Sequence, residues 1–303
     1  MASFSSLVKQ QIIESLSSGS KALAALFGIL IFAKDKKRDK LSFSTENETV
    51  AAFVHDALRL KCKVTNVSVC ASDKKKCTYT VLVEGESDVK KVRAALSEYG
   101  NEFEIPNVPD KNTSHILSGI FLASGSITDP NKEYHLEFVV LQTDMCKKLE
   151  ELLTDGFFIN AKHTVRKGFG VVYIKESENI EDLLTLMGAS KSSLEIMNIK
   201  ILKNVRNKVN RVMNCENANI ERTVSASEKQ IEDIELIEKT IGLESLSEEL
   251  YETAVVRYEN PELTLKELGE MLTPKISKSG VNHRLEKIKA AADNIRNNGG
   301  KSS

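Results

Sequence analysis

LAALFGILIF (Leu23–Phe32) and LSGIFLASGS (Leu117–Ser126) are two runs of nearly unbroken apolar character, each carrying Gly, Ala or Ser every few positions. A helix that is apolar all round has to be buried. Small residues on its surface let a second backbone approach closely. Each run is therefore read as a core helix of its own segment. A sharper reading has the two helices packed against each other about a pseudo-twofold axis.

Working outward from these runs, the flanking segments read alike. The first helix (Lys21–Ala33) is followed by a short strand (Leu41–Ser44), a helix (Glu48–Leu60), two strands (Lys63–Ala71 and Cys77–Glu84) and a helix (Ser87–Tyr99). The second (Ser114–Ala123) is followed by a strand (Tyr134–Leu141), a helix (Asp144–Thr154), two strands (Phe157–Val165 and Gly170–Lys175) and a helix (Ile180–Met187). Strands are read from alternation in CTYTVLVE and from β-branched and aromatic runs such as FGVVYIK. The predicted order is α-β-α-β-β-α, twice. Pro106 and Pro109, in the polar connector EIPNVPDKNTS, mark the junction between halves spanning about 20–105 and 112–188. The expected fold class is α+β: a duplicated domain over 1–190, a basic helical linker over 191–216, and an all-helical domain over 217–303.

Composition narrows the function classes. The 303 residues are 41% hydrophobic and 28% charged, which excludes a disordered or fibrous chain. With 42 basic and 43 acidic side chains the formal charge is −1, so a uniformly basic coat is excluded while a local basic patch is not. The apolar run Ala22–Ala33 is too short to span a bilayer. MASFSSLVKQQ lacks the layout of a signal peptide, and a cytoplasmic protein is expected. The five cysteines are scattered, with no C-x-x-C pair, so neither a zinc site nor a disulfide framework is expected. His55, His115 and His135 have no partners at ligand spacing. There is no P-loop and no nucleophile elbow. No cofactor or metal is anticipated.

The stretch Leu117–Gly125 resembles a degenerate LAGLIDADG motif, the paired-helix signature of homing endonucleases. In those enzymes each helix ends in an acidic residue that holds a metal at the scissile phosphate. Here Ser124 takes that place. In the first copy the place falls on Leu30 or on Ala33, depending on register. Metal-dependent phosphodiester cleavage needs hard oxygen ligands, and no register supplies a carboxylate. Asp35, in KDKKRDK, and Asp129, in the turn TDPNKE, are the nearest substitutes; Asp129 is more simply a turn former. A divergent endonuclease using them is the enzyme-class alternative.

The C-terminal stretch carries the most specific pattern. Ser245–Glu248 and Thr264–Glu267 read as capping boxes opening helices to about Tyr258 and Leu272. A turn at Thr273–Ile276 follows, and Ser277 caps a third helix to about Ile295. A short helix, a tight turn and a basic helix form the helix-turn-helix layout. On the third helix Val281, Leu285, Ile288 and Ala292 face the core. Ser279, His283 and Lys287 then point outward, flanked by Asn282 and Arg284. Residues 273–303 hold seven basic side chains against Glu286 and Asp293, whereas the stretch 217–272 is strongly acidic. Ser277-Lys278-Ser279-Gly280 offers free N–H groups, hydroxyls and a cation to phosphate. Asn282, His283 and Arg284 fall where recognition helices meet base edges. The candidate DNA contacts are Lys275, Ser277, Lys278, Ser279, Gly280, Asn282, His283, Arg284 and Lys287. Backbone contacts are candidates at Arg206, Lys208 and Arg211 of the linker, and at Arg166 and Lys167 of a hairpin that also holds His163. Asn210, Asn214, Asn217 and Asn219 read as a helix break near 214–217, because Asn favours caps and turns; a polar surface facing DNA or another domain is the other reading.

GIFLASGSITDP (Gly119–Pro130) with YHLEF (Tyr134–Phe138), NKVNRVMNCENANIERTVSAS (Asn207–Ser227) and ISKSGVNHRLEKI (Ile276–Ile288) resemble the WhiA family over nearly the full chain. The resemblance implies a non-catalytic LAGLIDADG-like domain joined to a DNA-binding helix-turn-helix. It implies a role in transcription, sporulation, cell division or chromosome segregation, at the nucleoid, with double-stranded DNA as partner and no membrane. A second transcription or cell-division protein is a further candidate partner. The remaining alternative is an interaction scaffold whose DNA contact is secondary.

Overall fold

The computed structural model describes residues 3–73, 77–100, 102–140 and 143–299. Its contacts divide the chain into two units, Met1–Lys203 and Asn204–Ser303.

In the first unit, α1 (Phe4–Ser15) precedes two similar halves. One comprises α2 (Gly19–Leu30), β1 (Asp35–Lys36), β2 (Lys40–Thr45), α3 (Glu48–Asp56), β3 (Val67–Asp73), β4 (Cys77–Glu84) and α4 (Glu86–Leu96). The other comprises α5 (Thr113–Ser124), β5 (Gly125–Ile127), β6 (Leu136–Val140), α6 (Thr143–Glu151), β7 (Lys162–Arg166), β8 (Phe169–Ile174) and α7 (Ser177–Leu186). A single π-helical turn follows α3 and again α6, at Ala57–Lys61 and Leu152–Gly156. The duplicated α+β fold expected from the pattern is present, but each half reads α-β-β-α-β-β-α. The leading strand escaped the sequence because it is two or three residues long and exists only by pairing, Asp35 with Ser42 and Gly125 with Phe138. Leu141, the predicted end of the strand at 134–141, lies outside the described residues.

Both sheets are antiparallel with equivalent strand orders, β1-β2-β4-β3 and β5-β6-β8-β7. Period-two alternation turns Leu41, Phe43, Val81 and Val83 into the core from one sheet, and Leu136, Phe138, Val140, Val172 and Ile174 from the other. Polar side chains such as Ser44 and Thr80, whose hydroxyls lie 2.9 Å apart, take the opposite face.

α2 and α5 form the centre of the unit and pack directly on each other. A Cβ placed on Gly28 would run into the carbonyl of Ile116, and one on Gly119 into the carbonyl of Ala25. Each of these carbonyls lies three residues before the opposite glycine. The contact is thus reciprocal, which is the pseudo-twofold pairing the small residues pointed to. It also fixes the motif register: Gly28 matches Gly119, and Ala33 matches Ser124.

One buried carboxylate holds the first half's layers together. Asp88, in the first turn of α4, accepts from the backbone N–H groups of Asn66 (2.7 Å) and Thr65 (3.1 Å), from the Thr65 hydroxyl (2.9 Å) and from Lys91 Nζ (2.6 Å). The Lys91 ammonium first, and then these N–H and O–H donors, hold its carboxyl well below the usual aspartate range. A depressed folded-state value gives stability that is complete above the unfolded aspartate value and is lost as pH falls toward the folded one. The first unit should therefore soften below about pH 4. Asp88→Asn should weaken it at neutral pH and flatten that acid limb in pH-dependent melting. An unchanged acid limb would mean that other carboxylates set it.

A long helix, α8 (Ser190–Thr240), continues from the first unit into the second, where it is followed by α9 (Glu248–Glu259), α10 (Leu265–Met271) and α11 (Lys278–Gly299). α8 begins within the first unit, where Ile196 is buried and Ser193 Oγ donates to the Glu181 carbonyl at 2.9 Å. No break occurs near 214–217. Asn210, Asn214, Asn217 and Asn219 are all exposed, so water satisfies their amides and they do not compete for the helix backbone. The second unit's core joins Ile234 and Ile237 of α8 with Ala254, Leu268, Leu272, Val281, Leu285, Ile288 and Ala292.

Candidate nucleic-acid interface

The helix-turn-helix is assembled by local chemistry. Thr264 caps α10 through a complete capping box: Thr264 Oγ1 accepts from Glu267 N, and Glu267 Oε2 accepts from Thr264 N at 2.8 Å. The cap of α9 is Ser247, not Ser245; Ser245 lies in a 3-10 turn, where its hydroxyl donates to the Gly242 carbonyl. Between α10 and α11 the chain closes on Gly269. A Cβ there would strike the Ile276 carbonyl, and Ile276 N donates to Gly269 O at 3.0 Å. Only glycine lets the turn close this tightly. Ser277 Oγ then accepts from Gly280 N at 3.2 Å, so the predicted cap opens α11.

Val281, Leu285, Ile288 and Ala292 are buried, as their spacing required. Their burial leaves Lys275, Ser277, Lys278, Ser279, Asn282, His283 and Lys287 exposed along the turn and the first three turns of α11, with Gly280 half-buried among them. Lys301, counted among the seven basic side chains, lies outside the described residues.

Arg284 departs from the expected arrangement. Its side chain is 11% exposed and turns toward α9. There Nη1 donates to the Glu249 carbonyl and to Thr253 Oγ1, both at 3.4 Å, and the guanidinium faces the carboxylates of Glu249 and Glu252 at 3.5 and 3.9 Å. Position 284 sits at the edge of the core stripe, where a long cation finds acceptors on the neighbouring helix. The structure makes Arg284 a brace between α9 and α11, not an outward reader of bases.

The other candidate cations are scattered. Arg206, Lys208 and Arg211 are exposed along α8. Arg166 and Lys167 belong to the first unit, at the β7–β8 hairpin. Lys167 and Gly168 both adopt positive φ there, as a tight two-residue turn demands. There Arg166 faces Glu137 of β6 at 3.7 Å, and His163 Nδ1 lies 2.5 Å from Glu150 of α6.

At the ends of the motif helices the nearest polar side chains are engaged in local hydrogen bonds. Ser124 Oγ donates to the Ile120 carbonyl at 2.9 Å within its own helix. Asp35 accepts from Ser42 Oγ at 2.6 Å on the edge strand. Asp129 accepts from the N–H and the amide of Asn131, as a turn former does. Among the described residues no group of His, Cys, Asp and Glu is placed to hold a metal. A residue the sequence reading passed over sits there instead. Lys9 of α1 donates to the Leu122 carbonyl at 3.1 Å, at the last turn of α5, and burial pushes its ammonium down to about 8. The spacing of Val8, Ile12 and Leu16 in VKQQIIESL was the available signal for α1, and all three are buried.

A second missed residue is Arg257 of α9. It is 2% exposed, and its Nη1 donates to the Leu263 carbonyl at 2.9 Å, to those of Asn260 and Pro261 at 3.3 and 3.4 Å, and to Ser227 Oγ at 3.4 Å. It ties the end of α9 and the loop to α10 onto α8. Within the described residues, no helix is long and apolar enough to cross a membrane.

Comparison with known proteins adds the following. A family model described as the WhiA LAGLIDADG-like domain matches residues 113–206, and one described as the WhiA C-terminal HTH domain matches residues 209–292. Over 318 residues the chain is 39% identical to the "Probable cell division protein WhiA" of Clostridium acetobutylicum, covering 98% of this chain and 99% of that one. It is 40% identical over 317 residues to the protein of the same description in Clostridium novyi, with the same coverage. Among solved structures, full-length WhiA from Thermatoga maritima superimposes with a TM-score of 0.61 at 28% identity, covering 97% of this chain and 99% of that one.

Proposed function

The chain belongs to the WhiA family, and from that premise we propose that it is a sequence-specific, non-catalytic DNA-binding regulator acting in cell division. We include control of transcription and chromosome segregation in this reading, with the protein located in the cytoplasm at the nucleoid. The relatives' description as cell-division proteins supports the first part. The observation that carries DNA binding is the face of α11: Lys278, Ser279, Asn282, His283 and Lys287 stand exposed on the side opposite the buried stripe. Lys275 and Ser277 flank the entry to the helix. In this reading Lys278, Lys275 and the serine hydroxyls grip phosphate, while Asn282 and His283 meet base edges. Arg206, Lys208, Arg211, Arg166 and Lys167 are secondary candidates for backbone contact. The working domains are a LAGLIDADG-like part up to about 190, the basic first half of α8, and the helix-turn-helix part from about 217. A protein partner for the duplicated domain is a further element of the reading.

The test separates reading from gripping. Asn282→Ala should lose about 1–3 kcal/mol of discrimination at one position of the site. Lys278→Gln should weaken binding to every duplex about equally and make the salt dependence shallower by about 0.9, one phosphate's worth. Both numbers come from titrating a best site and a scrambled duplex at several salt concentrations. If neither variant binds more weakly than the parent, α11 is not the contacting element.

The non-catalytic part has its own check. With plasmid DNA and Mg²⁺ or Mn²⁺ the chain should produce no cleavage, because Ala33 and Ser124 occupy the positions where carboxylates would hold the metal. Cutting that disappears in Asp129→Ala would reverse this conclusion.

A further inference from the structure

One cleft of the second unit is lined by cations and by no acidic residue. It measures about 530 Å³ and lies between α8 and the starts of α10 and α11. Arg222 and Asn219 of α8, Lys266 of α10, and Lys278 and Asn282 of α11 line it, with Arg257 among them. None of its lining residues is an aspartate or glutamate. This is unexpected in so acidic a stretch, where Glu221 and Glu267 adjoin the lining residues Arg222 and Lys266 in the sequence.

Arg257 makes the absence of an acid consequential. Its guanidinium is buried, and its hydrogen-bonded partners are neutral oxygens. Its Nε has no partner, and among the described residues it forms no ion pair. Glu262 lies near enough to favour its charge without pairing with it, and an anion seated in the cleft would supply a direct counter-charge. The rim cations Arg222 and Lys266 are exposed and free to close on such an anion.

We infer that this cleft seats a backbone phosphate of the DNA bound by α11, held by Arg222 and Lys266 above the buried charge of Arg257. The class of ligand follows from the donor set: several cationic donors around a small polar cleft suit an anion with several acceptor oxygens. The source follows from position, since Lys278 and Asn282 of the same cleft belong to the first turns of α11. The inference rests on the DNA-binding reading above and adds α8 and α10 to the grip.

The double variant Arg222→Gln/Lys266→Gln tests it, because both side chains are exposed and the fold should survive the change. The expected result is a salt dependence of duplex binding shallower by about 0.9, with the ratio between best site and scrambled duplex unchanged. A parent that binds duplex and a double variant that matches it in affinity and salt slope overturns the inference while leaving the role of α11 intact. Melting in inorganic phosphate, against chloride at equal ionic strength, identifies the source. If the parent binds no duplex, the DNA reading falls. A phosphate-dependent rise in Tm that the double variant lacks then keeps the cleft as a free-phosphate site, and the absence of such a rise removes it.

Discussion

Gly119→Ala is expected to lower the stability of the first unit by about 3 kcal/mol, the upper end of the usual cost of overpacking a tight core. The added methyl meets backbone, the carbonyl of Ala25, which no rotamer change can move aside. The two central helices would have to separate, and every layer packed on them would follow. Gly28→Ala should cost a similar amount for the same reason on the reciprocal side. Gly19→Ala is the control: it lies at the start of the same α2, and the nearest atom to its Cβ is the flexible Lys61 Nζ at 3.9 Å. Chemical denaturation of the three variants decides the matter. If Gly119→Ala and Gly19→Ala melt alike, the helices are not held at glycine distance.

Arg257→Met should be about as damaging, at roughly 3 kcal/mol, but in the second unit. The substitution keeps much of the side chain's volume and removes the donor shared by the carbonyls of Asn260, Pro261 and Leu263. Leaving a buried acceptor without its donor carries a cost of about 1–3 kcal/mol; these bonds are half-buried, and only the Leu263 one is short. Site-resolved hydrogen exchange is the informative measurement. Protection should fall across α9, α10 and α11 and persist in α2 and α5. Equal loss in both regions would show that Arg257 does more than tie its own unit.

The sequence was most readable where a residue's environment is dictated by its neighbours in the chain. All-round apolarity announced two buried helices, and their small residues announced the close pair. Alternation announced β4, and a run of β-branched and aromatic residues announced β8. Spacing announced the buried stripe of α11, and Thr264-x-x-Glu267 its companion's cap. Long-range partners were the blind spot. β1 and β5 are strands only because β2 and β6 lie beside them. Arg284 was placed on an outward flank, since nothing local reveals that Glu249 and Thr253, more than thirty positions upstream, offer it acceptors. The asparagines of α8 were read through their propensity for caps and turns. Exposure made that propensity irrelevant, because water serves their side chains without disturbing the helix. Arg257 gave no signal at all: a single arginine in YETAVVRYENP looks like a surface charge until its acceptors are located.

The reciprocal glycine contact also bears on how the chain is made. Gly28 and Gly119 are separated by about ninety residues, so α2 leaves the ribosome well before the helix that completes its surroundings. At a synthesis rate of roughly 5–20 residues per second, that is an interval of about 5 to 18 s. During it a largely apolar helix waits with one notched side uncovered. Until residue 124 emerges, that side of α2 lacks the helix it is shaped to meet. A translational pause placed between the halves would lengthen that exposure, and one placed after α5 would not.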